Sequence, residues 1–530
     1  MTSRRILTSG SIRAWFGVRP AAGSGPAAGS GPAAAFGSGP AAAFGSGPAA
    51  GGFGRQKGYY VRGSMLGPDG DFITSPEIRQ TRTFCRPAEP APPRPSMLRH
   101  LTSKILSTGP VSVAEYMREV LTNPVAGYYV RGSMLGPDGD FITSPEISQM
   151  FGELVGVWVV SEWLASGRPE RLQLVELGPG TGSLSADILR VLGELRSVLG
   201  DASVSLHLVE VSPALSRLQA QRLTGPLSRG PDAEDTAQTL KGPSSQGPDA
   251  EDALVYRQGE TAGGLTVSWY RHIDDVPTGF SIFVAHEFFD ALPIHKFQRT
   301  PRGWREVMVD VDPQTPDQLR FVLAPAPTLA SSTLIQVRTD ESRDSTMTLV
   351  QEGEGRSHVE VCAEGGVIVQ QLARRIIEDG GAALICDYGH DGSKTDTFRG
   401  FRGHRLHDAL SCPGSADLTA DVDFSYLRRM AGGGVACLGP ISQRTFLKNM
   451  GVDTRLQVLL RSCSDPPTRK QLIGGYDMLT HPDKMGERFH FLGLLHPSRL
   501  APPRKSEGLS LEKKHPAPPP VAGFTELSFS

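Results

Sequence analysis

Residues 174–182 read LVELGPGTG. A short apolar run reaches Glu176, and glycine then fills every second position, at Gly178, Gly180 and Gly182. The run has the length and composition of a buried parallel strand. The glycines after it carry no side chain, so the backbone there can approach a ligand closely and take positive φ. A helix is expected to open near Leu184. A glycine turn between the carboxyl end of a strand and the start of a helix is where doubly wound α/β folds bind nucleotides.

The spacing narrows the ligand. A dinucleotide turn requires G-x-G-x-x-G, and the sixth position here is Ser183. The E-x-G-x-G-x-G pattern is similar to the first motif of S-adenosylmethionine-dependent methyltransferases. In that motif the loop faces the amino acid end of the cofactor, and no pyrophosphate has to be cradled. About one βα unit later comes VSLHLVEVSPAL (204–215), a second apolar strand ending in Glu210. An acid at that place accepts hydrogen bonds from ribose hydroxyls in nucleotide-binding α/β folds. The other reading of Glu210 is a solvated carboxylate capping a helix that starts near Pro213.

Composition limits how much of the 530 residues folds. Residues 1–97 are rich in Gly, Ala, Pro and Ser and repeat GSGPAA four times. Such a segment buries too little apolar surface to offset chain entropy. The stretch after Leu500 is similar, so the foldable body is expected over about 98–500. Through Pro95 there are 11 Lys/Arg against 4 Asp/Glu, and beyond it 43 against 52. A mildly acidic body argues against nucleic acid as the main partner, because phosphate contacts need clustered basic side chains. The start, MTSRRILTSGSIRAWFGVR, has four Arg, and no Asp or Glu occurs before Asp69. That is the composition of a mitochondrial presequence. No run of 18 apolar residues is present, so no membrane span is expected. The six cysteines are scattered, without C-x-x-C or zinc-ligand spacing. They are read as reduced and structural, with no metal site.

Residues 58–78 (GYYVRGSMLGPDGDFITSPEI) recur unchanged at 127–147. Only the second copy has a structural context. It follows an apparent helix (112–122) and runs into ISQMFGELVGVWVVSEWLA, a helix expected over 147–165. Ser144 is expected as its N-cap, with Pro145 at its first position. The first copy runs into a Pro-rich stretch that cannot continue a helix. A shorter repeat, GPDAED at 230–235 and 247–252, marks a loop insertion.

Farther along, FSIFVAHE (280–287) and AALICDYG (382–389) read as buried strands, and RFHFLGLLH (488–496) as a last strand. GWREVMVDV (303–311) and LRFVLAP (319–325) alternate as an antiparallel hairpin would. Helices are expected at 367–379, closed by Gly380 and Gly381, and in FSYLRRMA, TFLKNM and TRLQVLLRSC. The expected fold class is α/β: a methyltransferase-type Rossmann sheet, mostly parallel with helices on both faces, carrying inserted and N-terminal helical subdomains.

Longer words sharpen this. GDFITSPEISQMFGE (139–153), ELGPGTG (176–182), HEFFDALP (286–293), ICDYG (385–389), TADVDFSYL (419–427) and MGERFHFLGLL (485–495) resemble the MidA family of methyltransferases. The resemblance covers about 98–498. Taken with the composition, the resemblance gives a presequence and low-complexity region at 1–97, which departs from the family, an N-terminal helical subdomain at 98–168, a methyltransferase domain at 169–500 and a tail at 501–530. It further implies S-adenosylmethionine as cofactor and transfer of methyl groups to arginine, with symmetric dimethylation. The implied substrate is the NADH dehydrogenase iron–sulfur protein 2 subunit of complex I, in the mitochondrial matrix, during assembly.

The chemistry of arginine methylation selects the site residues. A guanidinium is always protonated and its charge is delocalised. It has to be aimed and its charge accommodated, and carboxylates do both by bidentate pairing. The carboxyl end of the strand at 280–287 carries Glu287, the expected guanidinium clamp. Asp290 is its helper, and His286 is a proton acceptor or a satisfied core histidine. Asp290 has a second reading as a turn cap before Pro293. Cofactor contacts are expected from Glu176, Gly178, Gly180, Gly182 and Glu210, with Thr143 and Ser144 in the turn before the 147–165 helix. Asp387 and Tyr388 end the next strand, to line the substrate cleft or, for Tyr388, to pack in the core. Two other functions stay open at this point: a small-molecule methyltransferase, and a cofactor-binding assembly chaperone without essential catalysis.

Overall fold

The computed structural model describes residues 96–130, 143–224, 255–335, 337–338, 350–351, 356–500 and 520–525. The basic N-terminal segment, the first copy of the duplicated block and the GPDAED insertion lie outside the described residues. The described part opens with helix α1 (Met97–Thr108), a two-residue strand β1 (Val111–Ser112) and helix α2 (Val113–Thr122). Ser112 caps α2, its hydroxyl accepting from the Glu115 N–H at 3.1 Å. Leu101, Ile105, Tyr116 and Met117 of these helices share a core with Val307 and Val309, far away in sequence.

The turn expected to start one long helix starts two. Helix α3 (Ser144–Ile147) has Thr143, not Ser144, as its N-cap, and Pro145 stands second. Ser148 is extended, with φ −158° and ψ 130°, and its hydroxyl caps helix α4 (Gln149–Ala165) by accepting from the Met150 N–H at 3.3 Å. A serine that bonds its neighbouring backbone offers the chain an alternative to continued helix. Residues 150–164 of α4 are all buried, so this helix belongs to the main core rather than to a subdomain with α1 and α2. A helix apolar on every side is buried on every side. Its two acids are paired: Arg455 Nε lies 2.7 Å from Glu153 Oε2, and Arg499 Nε 2.9 Å from Glu162 Oε2.

The sheet comes next: β2 (Arg171–Leu177), α5 (Ser183–Glu194), β3 (Ser203–Val209), α6 (Pro213–Leu223), β4 (Arg257–Glu260), β5 (Thr266–Tyr270) and β6 (Ser281–His286). An inserted antiparallel sheet follows, formed by β7 (His295–Thr300), β8 (Gly303–Val311), β9 (Leu319–Leu323) and β10 (His358–Val361), with β1 joined to β8. Thus α1, α2 and the insertion make one lobe. The chain returns through α7 (Ala363–Asp379), β11 (Gly381–His390), α8 (Phe424–Ala431), β12 (Ala436–Ser442), α9 (Gln443–Asn449), α10 (Val452–Ser462), α11 (Pro466–Thr480) and β13 (Phe489–Leu495). The order across the main sheet is β12-β13-β11-β6-β2-β3-β5-β4. The five central strands β11, β6, β2, β3 and β5 are parallel. Strand β13 runs antiparallel to β11, pairing Ala382 with Leu495 through Tyr388 with Phe489.

Two details depart from expectation. Within the tail placed at 501–530, residues 520–525 dock: Arg499 Nη2 donates to the Pro520 carbonyl at 3.0 Å, and Phe524 lies edge-on to Phe446 at 5.8 Å. A Pro-rich average hid one aromatic that has a place against the body. Cys412 is disulfide-bonded, while Cys362, Cys386, Cys437 and Cys463 carry free thiols. Spacing along the chain says nothing about distance through space, so the pairing had no signature in sequence. Among the described residues no helix is long and apolar enough to cross a membrane.

Candidate active site

At the carboxyl end of β2 the chain turns away through Gly178, Gly180 and Gly182, at φ +62°, +55° and +80°. L-residues with side chains rarely occupy that region. The Gly178 N–H donates to the Val209 carbonyl at 3.0 Å, tying the turn to β3. A Cβ at Gly178 would stand 2.7 Å from Cδ2 of Phe288, so a bare backbone is required there. Helix α5 then points its N-terminus at the turn, as expected.

The turn forms one wall of a cleft of about 400 Å³. Thr143, Pro145 and Glu146 form a second wall, and His286 and Glu287 a third. Of the residues expected at the site, the fold brings Glu176, Gly178, Gly180, Thr143, His286 and Glu287 together. Glu176 is buried and accepts from the Ser185 hydroxyl. Burial pushes its carboxyl up to about 7, with the nearby Glu210 adding to the rise. Ser144 sits just behind the lining. Its N–H donates to Glu287 Oε1 at 3.4 Å, and its buried hydroxyl has no hydrogen-bond partner among the described residues.

Glu287 follows the last residue of β6 and is 2% exposed. Its φ is +49°, a region that non-glycine residues occupy only at a cost. Its N–H donates to the Cys386 carbonyl at 3.0 Å, and its Oε1 lies 3.3 Å from Nε2 of His286. His286 in turn packs against Phe151 of α4, with ring centroids 4.8 Å apart. Asp290 does not line the cleft. Its carboxylate accepts from the Tyr388 hydroxyl at 2.7 Å, and its backbone carbonyl from the Ala420 N–H at 3.0 Å. Tyr388 is buried and also bonds Thr419. Asp387, expected at the cleft surface, lies beneath the 287–290 turn and is fully buried.

Glu210 and Gly182 also stand off the cleft lining. The Glu210 carboxylate accepts from the Ser212 N–H at 2.7 Å and from Gln219 Nε2 at 2.9 Å, and burial pushes it up to about 7. Gln219 was missed in the sequence. Its Nε2 also donates to the Gly180 carbonyl at 2.8 Å, while its Oε1 accepts from Trp269 Nε1 at 2.9 Å. It thus clamps the glycine turn to the acid of the second strand. The one available signal was a polar residue on the inward stripe of α6, between Ser216 and Leu223, which are buried with it.

The cleft suits S-adenosylmethionine. Gly178 and Gly180 line the cleft with backbone alone, and the lining carboxyl groups of Glu146, Glu176 and Glu287 complement a ligand bearing an ammonium and a sulfonium. Arg222 donates to the Thr181 hydroxyl at 2.9 Å on the same wall.

Comparison with known proteins agrees. Residues 154–441 match the family model described as S-adenosyl-L-methionine-dependent methyltransferases. The chain is 59% identical over 452 residues to the mitochondrial protein arginine methyltransferase NDUFAF7 of Danio rerio, covering 85% of this chain and 97% of that one. Identity to the human protein of that name is 54% over 458 residues, covering 86% and 95%. A crystal structure from Burkholderia thailandensis with bound S-adenosyl-homocysteine shares the fold at TM-score 0.56 and 24% identity, covering 76% of this chain and 92% of that one.

Proposed function

The chain belongs to this family of S-adenosylmethionine-dependent methyltransferases, and from that premise we propose that its acceptor is an arginine side chain of a protein. The observation that carries the proposal is Glu287, a buried carboxylate held in a left-handed conformation at the cofactor cleft. The relatives named above as protein arginine methyltransferases support the same acceptor.

The cofactor, when bound, supplies an electrophilic methyl group on a sulfonium sulfur. The chain's residues hold and orient the acceptor. Glu287 pairs with the guanidinium, neutralising its charge and fixing which nitrogen points into the cleft. Ser144, through its N–H, holds the Glu287 carboxylate in place. A methylated guanidinium nitrogen must shed a proton, and His286, at 3.3 Å from Glu287, takes it. Asp290, bonded to Tyr388, steadies the turn rather than touching the guanidinium.

The MidA resemblance supports a finer assignment, and the relatives' names support its mitochondrial location. The product is symmetric dimethylarginine on the iron–sulfur protein 2 subunit of complex I, made in the mitochondrial matrix during assembly. Mass spectrometry of complex I subunits from cells with and without the protein tests this. Loss of a dimethylarginine on that subunit is expected. An unchanged set of arginine modifications would contradict it. Residues 1–60 fused to a fluorescent reporter test the location: import into mitochondria is expected, and a diffuse cytosolic signal would contradict it.

A further inference from the structure

The turn that carries Glu287 is held from beneath by one carboxylate. Asp387 stands near the carboxyl end of β11 and is fully buried. Its Oδ2 accepts from three consecutive backbone N–H groups, those of Phe288 at 3.1 Å, Phe289 at 3.0 Å and Asp290 at 3.3 Å. Its Oδ1 accepts from the Tyr388 N–H at 3.0 Å. The preceding residue, Cys386, accepts from the Glu287 N–H at 3.0 Å. Four successive N–H groups of the 287–290 turn are therefore bound by two adjacent residues of a neighbouring strand.

An ordinary helix cap is local, coming from the residue just before the first turn. Here the cap comes from a strand about a hundred residues later, and the residue before the turn is forced to φ +49°. A left-handed glutamate persists only where its surroundings over-determine it. Asp387 is the group that does so. An ionised oxygen holds backbone donors more strongly than a neutral one. An asparagine would also turn its amide N–H₂ toward the Tyr388 N–H, donor against donor.

We propose that Asp387 is a positioning residue for the methyl transfer. Its carboxylate locks the 287–290 turn, sets the backbone of Glu287 and so aims the Glu287 carboxylate into the cleft. The proposal rests on the reading of Glu287 as the guanidinium clamp. It requires no contact between Asp387 and either substrate.

The test is Asp387→Asn in the full chain, assayed with an arginine-containing peptide. Turnover at saturating peptide is expected to fall by at least about tenfold. The S-adenosylmethionine Kd from calorimetry should stay within about threefold, because the glycine turn keeps its own bonds to Val209 and Gln219. Leu384→Ala, in the core of the same strand, serves as the purely structural comparison. It should lower the melting temperature but leave turnover per folded molecule within about twofold. Asp387→Ser replaces the asparagine variant if that protein does not fold. A crystal structure of the variant gives a readout independent of the acceptor: Glu287 is expected to leave the left-handed region. The proposal is overturned if Glu287 keeps φ near +49°, if turnover is unchanged, or if Leu384→Ala loses turnover equally. A wild-type protein inactive on arginine peptides would instead count against arginine as acceptor. The crystallographic comparison would still decide whether Asp387 sets Glu287.

Discussion

The Thr181 hydroxyl donates to Glu146 Oε1 across 2.8 Å, and this bond joins the glycine turn to the short helix 144–147 on the opposite wall of the cleft. Thr181 also accepts from Arg222 at 2.9 Å and shares a hydrogen bond with the Ser183 hydroxyl at 2.8 Å, so its hydroxyl is saturated. Thr181→Val keeps the shape and removes all three interactions. A buried bond to a charged group contributes about 1.5–3 kcal/mol, so S-adenosylmethionine affinity should fall by roughly tenfold or more while the fold survives. Calorimetric titration checks this, and an unaltered Kd would mean that the two walls are not coupled through Thr181.

The bare backbone at Gly178 gives a sharper outcome. Gly178→Val places a branched side chain at φ +62° and against the Phe288 ring. Strain and overlap together should cost several kcal/mol of cofactor binding, roughly a hundredfold or more in Kd. Near-normal affinity in a folded Gly178→Val protein would remove the glycine turn from the cofactor site.

Burial raises both Glu176 and Glu210 to about 7, above the ordinary carboxylate value. The folded protein therefore holds more protons than the unfolded chain between about pH 4.5 and 7, and its stability falls as pH rises through that window. The melting temperature of the cofactor-free protein should drop from about pH 5 to pH 8 by this contribution. Glu176→Gln and Glu210→Gln should each flatten the profile. Profiles unchanged in both variants would show that these carboxyls do not titrate there.

Residues 520–525 offer a stability test remote from the cleft. Truncation after residue 519 removes Phe524 from Phe446 and Gly493, and the Pro520 carbonyl from Arg499. Phe524 is half-buried, so its loss costs less than the roughly 3–5 kcal/mol of a fully buried aromatic, and the melting temperature should fall by a few degrees. An unchanged melting temperature would mean that this segment does not contribute to the fold.

The sheet was legible because its strands are continuous apolar runs, and the 174–182 turn because alternate glycines have few other uses. The hairpin at 303–323 was legible from its alternation. Other features depend on distant partners. The break at Ser148 is a competition between a side chain and the helix backbone that periodicity cannot see. The lobe uniting α1, α2 and the insertion depends on Tyr116 and Met117 meeting Val307 and Val309 across nearly two hundred residues. At the site, residue types near strand ends were readable, but their orientation was not. Glu287 and Asp290 are three residues apart, yet one carboxylate lines the cleft and the other bonds Tyr388. Gln219 and Asp387 act on the turns from other elements: Gln219 is marked only as a polar residue on the inward stripe of α6, and Asp387 was readable as a strand-end acid but not as the cap beneath the 287–290 turn.

The central claim is that Glu287 receives an arginine guanidinium at the cofactor cleft. Its most direct test is single-turnover methylation of an arginine peptide by the wild type and by Glu287→Gln, with S-adenosylmethionine affinity measured on both proteins. The substitution keeps shape and removes charge. Loss of one charge-assisted pair made in the transition state costs about 1.5–3 kcal/mol, so the rate should fall roughly ten- to a hundredfold while cofactor affinity holds within about threefold. A Glu287→Gln enzyme that methylates arginine at the wild-type rate would contradict the account.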